Sequence, residues 1–472
     1  LHELSGFEEM TKEAQKTGLI TISGCIDAQK SHMIYGIGNG RKNKVIVTFH
    51  EQKAKELYDD YRFFEPNTVY YPAKDILFYQ SDIRGNLLTA ERIRALRAIH
   101  EQQEVTVITT FDALMNTMAP PKTLWDSIRR IEPGDTVVLD ELVARLVQMG
   151  YEKEYQVDTV GQFALRGGIL DVYPLTEDNP VRIEMWGDEV DTIRSFDVES
   201  QKSIENLEEL VIYPACELVL DDEEKQAGIA RFLKEAKTFA SKLKKEMKTE
   251  EAHRALSTAQ ELAEEWGELS VTAGMDAYLS YFSEERVGLL DYFDPADTYL
   301  FFDELSRCTE RGKQTEVEFA ESMKQRLEKG YILPGQMKEL FGFKEVMGKI
   351  ERYSCIAVSA LDVKTNGLKS NGQYGIHVKS VNAYNNSFEL LIKDLQHYKK
   401  NGYRIILLSG SRTRAERLAS DIMNEGLNCF YTDDYDHELL PGQIMVCYGK
   451  VHKGYEYPIL QFAVITETDI FG

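Results

Sequence analysis

The chain has 472 residues, 43% hydrophobic and 28% charged, with a formal net charge of −23. That length holds roughly three or four domains of ~100–150 residues, while no apolar run approaches the ~18 residues of a membrane span and no secretory h-region opens the chain. The acidic balance excludes a surface that tracks a nucleic-acid backbone throughout, which takes concentrated lysine and arginine, and the six scattered cysteines, without any C-x-x-C, argue against structural zinc or a disulfide framework and suit a reducing cytoplasm.

In chain order, the first element is a short β-type run, Leu19-Ile20-Thr21-Ile22, followed by Gly24-Cys25-Ile26-Asp27-Ala28-Gln29-Lys30-Ser31. This is the outline of a phosphate-binding loop, G-x-x-x-x-G-K-[ST], in its required setting between a strand and a helix. Gly24, Lys30 and Ser31 occupy the motif positions, but Gln29 replaces the second glycine. Glycine eases the backbone around a phosphate; here the interior holds Cys25, β-branched Ile26 and the anion Asp27, which repels a triphosphate. The expectation is an α/β, RecA-like parallel-sheet frame with a degenerate phosphate loop. A chance G-x₆-S segment is the competing reading.

Strands follow at Val45–Phe49, Val69–Tyr71 and Val105–Thr109, with helices at Gln52–Tyr61 and Thr89–His100. This βαβ rhythm implies a parallel sheet covered on both faces, and it fades at Ala119-Pro120-Pro121. Arg92, Arg94 and Arg97 on the second helix are a candidate DNA contact; a solvated helix face is preferred given the chain's charge. Val137-Val138-Leu139-Asp140-Glu141 mimics the acidic box that holds magnesium in ATPases, but its acids lead into a helix-like run and read as a helix start.

From Gly161 to Asp197 the period becomes two. Gln162–Arg166, Gly168–Tyr173, Val181–Trp186 and Val190–Phe196 read as short antiparallel strands, a small β-rich domain inserted in the frame. Along Val181–Trp186, the residues Val181, Ile183 and Met185 share a core face, leaving Arg182, Glu184 and Trp186 on the other. Trp and Arg are enriched at binding hot spots, and Arg166 and Arg194 lie on neighbouring strands. The plain alternative buries Trp186 under a neighbouring element and pairs Arg182 with Glu184.

Asp221–Glu268 is helical and densely charged, as solvated faces are. Tyr299-Leu300-Phe301-Phe302-Asp303-Glu304 is a hydrophobic strand ending in Asp-Glu, the one place an acidic box can survive. After a linker expected at Leu368–Gln373, a further small α/β domain follows, with helices at Ser387–Lys399 and Thr413–Glu425 and strands at Arg404–Leu408, Gln443–Cys447 and Phe462–Thr466. The expected domains are 1–120 and 216–380 for the two parts of the frame, 121–215 for the insert and 381–472 for the small α/β domain. A start at Leu1 rather than Met, and an end at Gly472, are expected of a fragment.

The run Gly161-Gln162-Phe163-Ala164-Leu165-Arg166-Gly167-Gly168-Ile169-Leu170-Asp171-Val172-Tyr173-Pro174, with Val181-Arg182-Ile183-Glu184-Met185-Trp186-Gly187-Asp188-Glu189-Val190, closely resembles a segment shared by UvrB and the transcription-repair coupling factors of the Mfd family. Leu290-Asp291-Tyr292-Phe293 is similar to another shared landmark. The spoiled loop separates the chain from UvrB-like ATPases. So does the stretch Tyr70–Tyr79, which moves into a helix where UvrB-like proteins carry an aromatic hairpin. The resemblance is thus to the N-terminal region of a coupling factor. It implies a non-catalytic module that recruits the excision-repair protein UvrA to RNA polymerase stalled at DNA damage, with Arg166, Arg182 and Trp186 at the contact. The third position is usually a smaller aromatic. It further implies that the fragment has no cofactor, that ATP and magnesium serve a distal motor, that polymerase and DNA are met by parts beyond this chain, and that the docking face is masked by a C-terminal domain in the full-length protein. An active UvrB-type, damage-verifying ATPase is the alternative.

Overall fold

The computed structural model describes residues 1–75, 83–268 and 274–472. The frame begins with β1 (Gly18–Ser23), β2 (Asn43–Thr48), β3 (Val69–Tyr71) and β4 (Val105–Thr110). The insert carries β5 (Arg129–Ile131), β6 (Glu152–Lys153), β7 (Gln162–Arg166), β8 (Ile169–Val172), β9 (Val181–Trp186), β10 (Glu189–Phe196), β11 (Ser203–Asn206) and β12 (Leu210–Ile212). The frame resumes with β13 (Thr298–Asp303), β14 (Ser354–Val358) and β15 (Ser370–Gly375). The last unit holds β16 (Lys379–Ser380), β17 (Arg404–Ser409), β18 (Phe430–Tyr431), β19 (Ile444–Tyr448), β20 (Tyr455–Tyr457) and β21 (Phe462–Thr466).

The frame sheet runs β15-β1-β14-β13-β2-β4-β3 and is parallel at every pairing. Apart from the edge strand β15, its strands are largely apolar on both sides, as a sheet covered by helices on both faces demands. Val45, Val47, Val107, Leu300 and Phe302 enter one core. Ile46, Ile108 and Phe301 enter the other, which the helices Phe7–Ala14, Asp27–Gly38 and Glu51–Tyr61 cover. The fold class read from the sequence is the one observed.

The insert is a six-stranded sheet, β11-β10-β9-β8-β7-β6, antiparallel except where β6 meets β7, and β5 pairs with β12 beside it. Its inner face, with Phe163, Leu170, Val172, Val181, Ile183 and Ile193, is continuous with the frame core. The charged segment forms two helices, Asp222–Lys245 and Thr249–Gly267, packed against each other. Asp221 caps the first through a capping box with Glu224. Ile229, Phe232, Ala236, Phe239, Ala240 and Leu243 recur at helical spacing on the buried side, around fully buried Trp266.

Two readings change. Leu368–Gln373 is no plain linker: Ser370–Gly375 forms the parallel edge strand β15 beside β1. Its side chains are polar because an edge strand is held by main-chain hydrogen bonds, which ask nothing apolar of it. Arg92, Arg94 and Arg97 are not simply a solvated face either, since Arg92 is buried while Arg94 and Arg97 keep part of their exposure. On the helix Ile83–Glu101, Arg92 is fully buried; its Nε donates to Glu217 Oε1 at 2.9 Å, its Nη1 to the Pro72 carbonyl at 2.7 Å, and its guanidinium lies 4.3 Å from the Tyr71 ring centre. Arg94 and Arg97 donate to the carbonyls of Leu175 and Thr176 in the insert. These arginines fasten the insert to the frame, and the buried Arg92 is not available to DNA. The part of the Tyr70–Tyr79 reading that falls on Ile76–Tyr79 lies outside the described residues. Asp140 and Glu141 do occupy the first turn of a helix, Leu139–Gln148. Among the described residues no helix is long and apolar enough to cross a membrane.

Burial opposes ionisation of Glu217, but the charges of Arg92 and Lys74 outweigh it and hold the carboxyl at about 2. Glu217→Gln leaves Arg92 buried without its counter-charge and is expected to cost about 3–5 kcal/mol in chemical denaturation. A carboxyl with a depressed pKa gives stability that is complete above its ordinary 4.5 and lost as pH falls toward 2. An acid titration of the variant should lack that part of the wild-type loss; equal acid sensitivity would show that the pair does not hold the joint.

Candidate functional site

Two places in the fold match the sequence motifs. The first is the loop between β1 and the helix Asp27–Gly38. Gly24 has φ 84°, and a Cβ there would stand 1.9 Å from the Ile376 carbonyl oxygen, so only glycine fits. The backbone N–H groups of Gly24 and Cys25 are already spent: they donate to the carbonyls of Ala360 and Ser359 at 3.1 and 3.0 Å. The helix begins at once, with Ile26 as its N-cap. A working cradle would turn such N–H groups toward a phosphate.

The side chains are occupied too. Lys30 is 1% exposed, and its ammonium donates to Asp303 Oδ1 at 2.7 Å and Asp27 Oδ1 at 2.8 Å, with Glu304 at 3.6 Å. Asp303 Oδ2 accepts from the Thr48 hydroxyl at 2.8 Å. Burial opposes the Lys30 charge, but Asp303 and Asp27 hold its pKa above the ordinary lysine value. Asp27 also meets Lys53 at 2.7 Å; despite partial burial, hydrogen bonds from both lysines hold its pKa at about 2. The acidic end of β13 therefore does face the loop lysine, as an ion pair in the place of a phosphate.

The small α/β domain covers what is left. Gln29 Nε2 donates to the Tyr457 hydroxyl at 2.8 Å, and Ile26 and Ala28 pack beside Leu408, Met445, Tyr455 and Tyr457. Burial pushes the Cys25 thiol up to about 12. The Ser31 hydroxyl, which in an intact motif would sit on magnesium, is buried with no hydrogen-bond partner among the described residues.

The second place is the outer face of the insert sheet. The register sets Arg166, Ile169, Glu184 and Thr192 in one cross-strand row. Asp171, Arg182 and Arg194 form the next. Trp186 ends β9 opposite Glu189. Val181 and Ile183 are buried, Arg182 and Glu184 are partly exposed, and Trp186 is 82% exposed. The alternative of a tryptophan tucked under a neighbour does not hold, and Arg182 does not pair with Glu184. Glu184 pairs with Arg194. Arg182 makes a two-pronged bond to Asp171, Nε to Oδ1 at 2.8 Å and Nη2 to Oδ2 at 2.9 Å. This bonding raises the arginine's pKa above its ordinary value. Arg166 lies 3.7 Å from the same carboxylate and 6.0 Å from the centre of the exposed Tyr155 ring.

The structure thus brings Arg166 and Arg182 together on one carboxylate, with Trp186 farther along the same face. Asp171, Ile169 and Tyr155 belong to this surface and were not singled out from the sequence. Alternation along β8 places Ile169 and Asp171 on one face, but the register to β9 that joins them to Arg182 is a long-range fact.

The family model of the UvrB interaction domain matches residues 130–218, which hold this face. The chain is 29% identical over 472 residues to the transcription-repair-coupling factor of Bacillus subtilis, covering 99% of this chain and 39% of that protein. To the factors of Staphylococcus haemolyticus and Staphylococcus aureus strain MRSA252 it is 28% and 26% identical, over 91% and 90% of this chain and 36% of each protein. The chain therefore spans well under half the length of these relatives, and its resemblance to the coupling factors holds along almost all of its own length.

Because Asp303 is buried with Lys30, removing the cation alone should strand a charge. Lys30→Met is expected to cost about 3–5 kcal/mol in urea unfolding, and Lys30→Met with Asp303→Asn to recover part of it. A single variant as stable as the wild type would mean the pair does not brace the loop.

Proposed function

We propose that this chain is the recruitment module of a transcription-repair coupling factor: it docks UvrA through Arg166, Arg182 and Trp186 and holds no nucleotide itself. The observation that carries the reading is an indole 82% exposed on the same face as two guanidinium groups, inside the segment that matches a UvrB interaction domain. A large exposed aromatic beside arginine is costly to leave in water unless a partner uses it, and these residue types dominate binding hot spots. The second support is the loop, whose donors and lysine are engaged by Ser359, Ala360, Asp27 and Asp303. In this reading the module works in the cytoplasm. Chemistry at the expense of ATP and magnesium, and contact with RNA polymerase and DNA, belong to other parts of a longer protein.

Calorimetric titration of purified UvrA tests the docking half. Alanine at Arg166, Arg182 or Trp186 should each weaken binding by roughly 1–3 kcal/mol. Trp186→Ala should leave stability within about 0.5 kcal/mol of wild type, as expected of an exposed side chain. Undiminished binding by all three variants would discard the face. The second half is tested with a fluorescent ATP analogue: saturable, magnesium-dependent binding would favour a UvrB-type ATPase instead.

A further inference from the structure

Asp171 is 2% exposed and sits on β8, between the strands that carry Arg166 and Arg182. Its carboxylate takes Nε and Nη2 of Arg182, and Nη2 of Arg166 stands 3.7 Å away. Arg182 Nη2 also donates to Gln201 Oε1 at 3.0 Å, and the guanidinium lies 4.3 Å from the Phe196 ring centre. A planar fork held on one edge by a carboxylate and across its face by a ring keeps one orientation. Nη1 stays outside all of these bonds. Asp171 is shared by the two arginines, while Glu184 is engaged by Arg194 and Glu189 stands across from Trp186 at the far end of the face. Ile169, 37% exposed, and Trp186 supply apolar surface on the same face.

We propose that Asp171 is a positioning residue of this face: it holds Arg182 so that Nη1, together with Arg166, receives one acidic side chain of the partner, next to an apolar group seated on Ile169 and Trp186. This rests on the docking reading above. It explains why an acidic residue stands in the middle of a surface meant for an acidic ligand. Without it, Arg182 would be a mobile cation, and ordering it would oppose binding.

The test uses the whole 472-residue chain and purified UvrA. Asp171→Asn should weaken binding about tenfold or more. The same change in an Arg182→Ala background should weaken it no further, because Asp171 acts through Arg182. Asp171→Glu keeps the charge but shifts it by one methylene; it should bind between wild type and Asp171→Asn, and it carries the test if Asp171→Asn does not fold. Salt should weaken the wild type more steeply than the Arg166→Ala, Arg182→Ala double variant. Wild-type affinity in the Asp171 variants, or an equal loss in the Arg182→Ala background, overturns the positioning role. Equal salt slopes overturn the acidic ligand. No binding by the wild type overturns the docking reading itself.

Discussion

The buried pair of Lys30 and Asp303 is the constraint on which the frame depends. The strand-loop-helix of a phosphate site brings a lysine to the end of a parallel sheet, where an unpaired buried cation is costly. In a nucleotide-binding protein the ligand supplies the opposite charge. Here β13 supplies it, with Thr48 holding the second oxygen of Asp303. In the nucleotide-free reading proposed above, the architecture persists with this internal anion in the place a ligand anion would take. The backbone follows the same logic: Gly24 and Cys25 donate to Ser359 and Ala360 just past the end of β14. The small α/β domain then packs Tyr457 onto Gln29, the residue that replaces the motif's second glycine.

A second buried pair sets the position of the insert. Arg92 belongs to a helix of the frame, and Glu217 follows β12, the last strand of the insert. Arg94 and Arg97 add bonds to backbone carbonyls on the insert side. Backbone acceptors do not titrate; the charged part of the joint is the buried pair with Glu217, together with the more exposed contacts of Arg94 with Asp178 and Arg97 with Glu177. The outer face of the insert sheet lies on the side opposite the shared core, which leaves Trp186 free while Ile183, three residues earlier on the same strand, is fully buried.

How much of this was legible follows from the range of each interaction. The α/β rhythm, the loop motif and the two faces of Val181–Trp186 are written in periods of a few residues. The fate of Arg92 is not, because its partner lies 125 residues away and a buried arginine has the same letter as a solvated one. β15 escaped because Ser370-Asn371-Gly372-Gln373 has the composition of a turn, and only its neighbour β1 makes it a strand. Asp171 was visible as a residue but not as a hub, since its role depends on register across three strands. The strand ending in Asp303-Glu304 marked a possible acidic box; that it would neutralise Lys30 is a matter of tertiary geometry.

Both pairs bear on how the charges of a chain of net charge −23 are distributed. Most of the lysines and arginines that approach the frame interior are consumed there, Lys30 by Asp303 and Arg92 by Glu217. On the insert face Asp171 serves two guanidiniums and Glu184 serves Arg194, while Glu189 stands opposite Trp186. At physiological ionic strength, fields are screened beyond about 8 Å, so the bulk negative charge does little at contact distance and the nearest side chains decide. The net charge opposes polyanions in general; in the docking proposed above, the face selects a partner by what it presents within a few ångströms. The charge of the whole molecule and the local charge of this face are therefore independent, and only the second follows from the folded register of β7, β8 and β9.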